Sequence, residues 1–280
     1  MERNRDVNET TSSGPTTSDT TEDRVLAVLI PVYNEQETIT RVLAKVDALP
    51  VVREIIVVDD GSTDATAERV AAFASPRVRL IRQPANGGKT AAIRRAVAEA
   101  TSPLAVIQDA DLEYDPDEIP FVIAPILEGW ADVVYGSRFL VRRAGRVLYY
   151  YHYLANKFLT FCSNLLTNMN MTDIETCYKA FRTPILQQVP FTSSGFGMEV
   201  EITAFVARTR ARVYEVPISY YGRTYAEGKK INSLDGLAAL RYIFLYNLLA
   251  PLAAAYRQRV RSVDAFLASV PGPLPPPGQG

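Results

Sequence analysis

Two aspartates one residue apart, Asp109-Ala110-Asp111, directly follow an apolar run, Leu104–Gln108. Carboxylates at that spacing, at the end of a strand, can aim their oxygens into a single site. Hard divalent cations such as Mg²⁺ and Mn²⁺ take oxygen ligands and often complete their shell with substrate phosphates. A helix cap ahead of Asp115 accounts for one of the two aspartates but not for the pair. Other polar clusters follow other apolar runs: Pro31-Val32-Tyr33-Asn34-Glu35, Asp59-Asp60-Gly61-Ser62-Thr63-Asp64, Asn86-Gly87-Gly88-Lys89 and Gly136-Ser137-Arg138-Phe139. Any one of them is ordinary turn chemistry. Five on one edge of one sheet are not.

Several chemistries are excluded. The single histidine, His152, argues against a histidine metal site or a Ser-His-Asp triad. Cys162 and Cys177 form no CxxC pair, so neither a disulfide framework nor zinc is indicated. Gly87-Gly88-Lys89-Thr90 ends like a P-loop, but Gln83 stands where that motif needs its first glycine, which rejects an ATPase. Lys+Arg is 30 against 31 for Asp+Glu, a balance without the basic excess of a nucleic-acid binder.

The elements that must position these clusters alternate. Strands are expected at Val25–Val32, Ile55–Asp59, Val78–Arg82, Leu104–Gln108 and Val133–Tyr135, and helices at Glu35–Ala48, Ala65–Ala74 and Gly88–Ala100. Asp115-Pro116-Asp117-Glu118 reads as a helix start, with an Asp cap and Pro in the first position. This order implies an α/β fold, a mostly parallel sheet with helices on both faces. Ligands of such sheets bind at the carboxyl ends of the strands, where the clusters lie. Residues 1–23, rich in Thr, Ser, Asp and Glu, read as a disordered tail without a secretory signal, and 269–280 as a Pro/Gly tail. One domain, 24–268, lies between them, large enough to bury a core without staples.

Two segments suit a membrane surface. Leu237–Tyr256 is the most apolar, but Arg241, Asn247 and Pro251 interrupt it, so it is a poor spanning helix and a fair interfacial one. Val147–Met171 is aromatic and follows Arg142, Arg143 and Arg146. Tyr150, Leu154, Phe158, Phe161, Leu165 and Leu166 fall on one helical face, as expected of a core helix or of an interfacial one.

The runs VLIPVYNEQETI, EIIVVDDGSTDAT, RQPANGGKTAAI, IQDADLEYDPDEIP and DVVYGSRF, in this order, resemble family-2 glycosyltransferases of the GT-A (Rossmann-like) fold. DADLEYDP, GSRF, ETCYKAFR and VPISYYGRTYAEGKKI resemble the dolichol-phosphate mannose synthase and polyprenyl-phosphate glycosyltransferase branch. The resemblance implies that Pro31, Tyr33, Asn34 and Glu35 hold the nucleotide, with Tyr33 near the base. It implies that Asp59 or Asp60 accepts from the base or ribose, and that Asn86, Gly88 and Lys89 lie near ribose and base. Asp109 and Asp111 form the DxD motif for Mg²⁺ or Mn²⁺, with Asp111 the main ligand and Glu113 a further one. The implied reaction is inverting, metal-dependent transfer of a hexose from UDP-glucose or GDP-mannose to polyprenyl or dolichyl phosphate. The enzyme would sit at the cytoplasmic face of the membrane, as a peripheral protein with amphipathic interfacial helices.

A lipid phosphate is anionic already and needs no strong base, but it needs cations to hold it against an anionic donor. Arg138 and Arg223 fit that task, since the guanidinium fork grips phosphate. Lys229 and Lys230 would help from the same loop, Tyr220–Lys230, which reads as a lid. With a hydroxyl acceptor, a glycan or small metabolite, a base is required. The resemblance implies an acidic residue on the acceptor side, for which Asp173 is the candidate, as acceptor contact or as that base, and Glu175 the runner-up; of Glu199 and Glu201, two apart and so not on one helix face, Glu199 is the one that points to the sugar and Glu201 a surface acid. Two departures from the family pattern stand out: Thr90 after the lysine of the NGGK loop, and Asn232-Ser233-Leu234-Asp235 where an aromatic and basic pair is usual.

Overall fold

A computed structural model describes residues 24–140, 149–195, 197–222 and 233–271. The tail 1–23, most of the Pro/Gly tail, Arg142, Arg143, Arg146, Arg223, Lys229 and Lys230 lie outside the described residues.

Seven strands form one sheet: β1 (Leu26–Val32), β2 (Val52–Asp59), β3 (Val78–Arg82), β4 (Leu104–Ile107), β5 (Val133–Ser137), β6 (Lys179–Arg182) and β7 (Val213–Pro217), in the order β3-β2-β1-β4-β6-β5-β7. β1 pairs in parallel with β2 and β4, β2 with β3, and β5 with β7. β6 runs against both β4 and β5. The five expected strands are present and all point the same way. β6, which the sequence marks only by the short run after Tyr178, supplies the reversal. β1 is buried along nearly its whole length, which is why it reads as an unbroken apolar run and not as an alternation.

The helices are α1 (Ile39–Asp47), α2 (Thr66–Ala71), α3 (Lys89–Glu99), α4 (Ile119–Leu127), α5 (Tyr150–Thr167), α6 (Thr183–Leu186), α7 (Gly197–Val206), α8 (Ser233–Phe244) and α9 (Ala254–Ser269). The steps β1–α1–β2 and β2–α2–β3 move one way along the sheet, and β3–α3–β4 moves back past both. Right-handed crossovers therefore put α3 on the face opposite α1 and α2. α1 begins later than Glu35 because Asn34 takes a left-handed φ of 54° and Glu35–Thr38 forms a turn first. Asp115 caps the 3₁₀ turn Pro116–Glu118 that leads into α4, accepting from the Asp117 amide at 3.2 Å.

α5 buries Leu159, Thr160 and Ser163 and exposes Tyr150, Leu154, Phe158, Phe161 and Leu165. The aromatic stripe therefore faces outward, which decides against the core-helix reading. Leu166 is the exception and packs against the core. The apolar segment after α8 is not one helix to Tyr256. A wide turn at Leu245–Leu249 and a 3₁₀ turn at Ala250–Leu252 end in an extended Ala253. Pro251 has no amide to continue the ladder. The chain bends by 88° between the stretch ending at Leu252 and α9. Among the described residues, no single helix is long and apolar enough to cross a membrane.

Far from the motif loops, buried Asp132 ties three strands together. It accepts from the Arg212 amide at 3.0 Å, from Arg212 Nε and Nη2 at 2.8 and 2.7 Å, and from Arg182 Nε at 3.0 Å. Burial would raise its pKa, but the Arg212 and then Arg182 hydrogen bonds pull it below the ordinary range. A carboxylate so depressed contributes stability above the unfolded pKa of about 3.9 and loses it as pH falls through the folded value. Replacement of Asp132 by Asn should lower the unfolding free energy at pH 7 by about 3 kcal/mol. Denaturant titrations of Asp132→Asn and wild type should converge toward acid pH.

Candidate active site

The strand order steps away from β1 in two directions, to β2 on one side and to β4 on the other. The crevice at such a switch point is where open α/β sheets bind ligands. It is flanked here by the loop after β1 and by Asp109-Ala110-Asp111 after β4.

The loops after β1 and β2 are zipped together. The Asn34 amide donates to Ser62 Oγ at 3.0 Å, and Asn34 Oδ1 accepts from the Thr63 amide at 2.8 Å. The Glu35 amide donates to Thr66 Oγ1 at 2.9 Å. Pro31 lies within β1, and Tyr33 is exposed at the rim. Asp59 and Asp60, both buried, do different work. Asp59 Oδ1 accepts from the Ser62 amide at 3.1 Å and shapes its own loop. Asp60 reaches across to the next loop: Oδ1 accepts from Gln83 Nε2 at 2.8 Å and the Gly87 amide at 2.9 Å, and Oδ2 from the Gly88 amide at 2.7 Å. Asn86 Oδ1 also accepts from the Gly88 amide, at 3.2 Å. Gly88 has φ +85°, a conformation suited to glycine, and it starts α3. Gly61 has φ +77°, and a Cβ there would meet the backbone of Ala85 and Asn86 at 3.0 Å. Thr90 falls inside α3, where helical backbone accommodates a side chain.

Lys89 opens α3 and points its ammonium into a cluster. Nζ lies 2.9 and 3.1 Å from the two Asp109 oxygens, 3.4 Å from Glu199 Oε1 and 3.6 Å from Cys177 Sγ. Burial disfavours the charge, but Asp109 first, with Glu199 adding to it, more than offsets this and holds the lysine above its ordinary pKa. Burial, and then Asp109, push the Cys177 thiol well up, so it remains a neutral packing group. Glu199 therefore faces the site. Glu201 is not a surface residue: it is buried and holds the loop before α7 through the Thr192 and Ser193 amides.

Beyond Asp111, Leu112 adopts a left-handed φ of 61°, and the Glu113 amide donates to Asp111 Oδ1 at 3.1 Å. Glu113 Oε2 accepts from Tyr220 Oη at 2.6 Å, and its carbonyl from the Tyr221 amide at 2.9 Å. No three Asp, Glu, His or Cys side chains converge into a metal cage among the described residues. The expected Asp109–Asp111–Glu113 set is thus not preassembled: Lys89 holds Asp109, and Tyr220 holds one Glu113 oxygen. The carboxylate oxygens of Asp109, Asp111 and Glu113 are the hard donors that Mg²⁺ and Mn²⁺ take, so the residues fit such an ion.

Across the site, Arg138 and Asp173 form one unit. Arg138 Nε and Nη2 each reach an Asp173 oxygen at 2.7 Å, and the Arg138 amide adds a third bond at 3.1 Å. Asp173 is fully buried. Both oxygens of Asp173, the candidate acceptor contact or base, are thereby engaged by Arg138. Arg138 stacks over Tyr220 at 5.2 Å. Tyr220 and the buried Lys179 were not singled out from the sequence as site residues. Both lie in quoted motifs, VPISYYGRTY and ETCYKAFR, and neither carries a spacing signal of its own.

Residues 27–189 match the glycosyl transferase family 2 model. The chain belongs to glycosyl transferase family 2. It is 30% identical to a dolichol-phosphate mannosyltransferase of Pyrococcus furiosus, over 80% of this chain and 63% of the relative. It is 30% identical to an undecaprenyl-phosphate mannosyltransferase of Micrococcus luteus, over 78% of this chain and 91% of the relative. So this family 2 chain spans under two thirds of the Pyrococcus protein and nearly all of the Micrococcus one. Glucosyl-3-phosphoglycerate synthase of Mycobacterium tuberculosis with bound UDP shares the fold, with a TM-score of 0.64, 21% identity and 80% of each chain covered. These matches agree with the GT-A fold expected from the motifs.

The Asp60 clamp gives a local test. In Asp60→Ala the half-exposed loop loses the acceptor of the Gly87 amide and leaves the Gly88 amide with Asn86 Oδ1 alone. Hydrogen exchange at Gly87 and Gly88 should accelerate strongly in Asp60→Ala and little in Asp59→Ala.

Proposed function

We propose that this chain transfers a hexose from a nucleotide sugar, UDP-glucose or GDP-mannose, to a polyprenyl or dolichyl phosphate, with inversion and with Mg²⁺ or Mn²⁺. The observation that carries this reading is the Arg138–Asp173 pair. A hydroxyl acceptor needs a base, and the aspartate best placed in sequence to be one is locked to an arginine. A phosphate acceptor is already an anion and needs a cationic setting, which Arg138 brings to the same wall. The dolichol- and undecaprenyl-phosphate relatives support the same acceptor class.

In this mechanism an acceptor phosphate oxygen attacks the anomeric carbon as the bond to the donor diphosphate breaks, and the nucleoside diphosphate leaves. Asp111 would hold a divalent ion, which would supply charge neutralisation of the diphosphate. Lys89 keeps Asp109 and Glu199 from repelling the donor, because their charges are met by its ammonium. The zipped loops after β1 and β2 place Tyr33, Asn34 and Asp59 for the nucleoside. Asp60, which the loop at Gly87 and Gly88 occupies, acts by shaping that loop.

The membrane reading rests on surface chemistry. The exposed stripe of α5 neighbours α8, whose own outer face carries Leu237, Arg241 and Phe244. Leu248, Leu249 and Leu252 extend it, and Arg257 and Arg261 of α9 are exposed beyond the bend. Apolar groups flanked by basic ones suit an anionic lipid surface. This supports a peripheral protein at the cytoplasmic face, where a lipid acceptor and a soluble donor meet.

The test is transfer by the purified full chain with Mn²⁺ or Mg²⁺, labelled UDP-glucose or GDP-mannose, and polyprenyl phosphate in vesicles. Label should enter the lipid phase, and Asp111→Ala should reduce the rate by about 100-fold or more. Label recovered in a water-soluble glycoside, or donor hydrolysis without lipid product, would overturn the acceptor assignment.

A further inference from the structure

Three carboxylates beside Lys89 and Arg138 have a cation against them. Asp109 and Glu199 share Lys89, and Asp173 has Arg138. Glu175 lies midway along the loop that runs from Asp173 to Cys177, and its Oε1 is closed off from solvent with no hydrogen-bond partner. The residue keeps some exposed surface. Its backbone is pinned from both sides: Lys179 Nζ donates to the Ile174 carbonyl at 3.0 Å and to the Thr176 carbonyl. Lys179 also rests over the Tyr135 ring at 5.0 Å. The side chain of Glu175 is thus held in the wall by a lysine whose hydrogen bonds go to the backbone.

The groups that face Glu175 are Glu199 from α7, Lys179 from β6, Arg138 from the end of β5 and Asp173 from its own loop. Burial is the largest influence, and the Glu199 charge adds to it. Together they outweigh Lys179 and Arg138 and push the carboxyl up to about 8. Two like carboxyls in one wall do not both ionise readily. The Lys89 ammonium lies 3.4 Å from Glu199 Oε1, whereas Glu175 Oε1 has no cation hydrogen-bonded to it.

We propose that Glu175 serves the transfer site as a neutral carboxylic acid, donating a hydrogen bond to an oxygen of the bound acceptor or sugar, while Lys89 and Glu199 act as positioning residues that keep the proton on it. This rests on the transferase reading and deepens it. An anionic acceptor approaching an anionic donor gains a hydrogen bond there and meets no further negative charge. It also separates Glu175 from a base: the group works protonated and fails ionised.

The test compares the pH–rate profile of wild type and Glu175→Gln in the full chain, because glutamine keeps the shape and an N–H donor at every pH. Wild-type rate should fall as pH rises through about 8 and approach tenfold per pH unit beyond it. Glu175→Gln should lack that alkaline fall. Loss of activity in Glu175→Gln at every pH would mean that an ionised carboxylate is needed, and an unchanged alkaline fall would mean that Glu175 only packs. Either result overturns the inference. Infrared difference spectra of wild type between neutral and alkaline pH supply a readout independent of turnover. A protonated carboxyl band should bleach, and Glu175→Gln should lack it. If wild type transfers sugar to no acceptor, the proposed function fails, and the absence of that band at neutral pH separately overturns the assignment of Glu175.

Discussion

The attraction between the Lys89 ammonium and its carboxylate neighbours is the interaction on which the site depends. It joins the start of α3, the end of β4 and the first turn of α7 at one point. Without it, Asp109 and Glu199 would present uncompensated negative charge to any phosphate ligand, and their own burial would be costly. Opposite charges at about 3 Å in a partly desolvated wall attract far more strongly than in water. The preceding loop is arranged to deliver this lysine. Asp60 draws Gly87 and Gly88 inward, the positive φ of Gly88 turns the chain, and α3 starts at the next residue.

The same logic divides the site into halves. On one side, the Lys89 ammonium meets Asp109 and the Glu113 amide meets Asp111. On the far side, Arg138 is fixed by Asp173 on its Nε and Nη2 edge and by the Tyr220 ring on its face. Tyr220 is in turn tied to Glu113, two residues past Asp111. A tyrosine therefore links the DxD loop mechanically to the arginine, and the segment that continues to Arg223 departs from this link. Guanidinium fixed by a buried carboxylate is preorganised, which is what an electrostatic site requires.

Much of this was legible in the residues. The ends of β1, β2 and β4 were readable because parallel strands buried on both faces appear as continuous apolar runs, and Asn34, Asp59 and Asp109 mark where those runs stop. The Asp115 cap of the 3₁₀ turn ahead of α4 follows from local chemistry alone. What was not legible depends on tertiary contact. β6 is four residues long and antiparallel, and no periodicity in KAFR sets its direction. The pairing of Arg138 with Asp173 spans thirty-five positions, so two residues read as separate ligands turned out to satisfy each other. Glu201 reads as a surface acid at its spacing from Glu199, yet the Thr192–Ser193 amides need its carboxylate. The break after α8 was signalled by Pro251 and Asn247, but the 88° bend is set by packing.

The most direct measurement on the account is a crystal structure of the full chain with a nucleoside diphosphate and Mn²⁺, with the metal located by anomalous scattering. The account predicts a manganese peak within coordination distance of the Asp111 carboxylate, bridged to the diphosphate, with the nucleoside in the crevice between the ends of β1 and β4. A nucleotide bound elsewhere, or a manganese coordinated without Asp111, would contradict it.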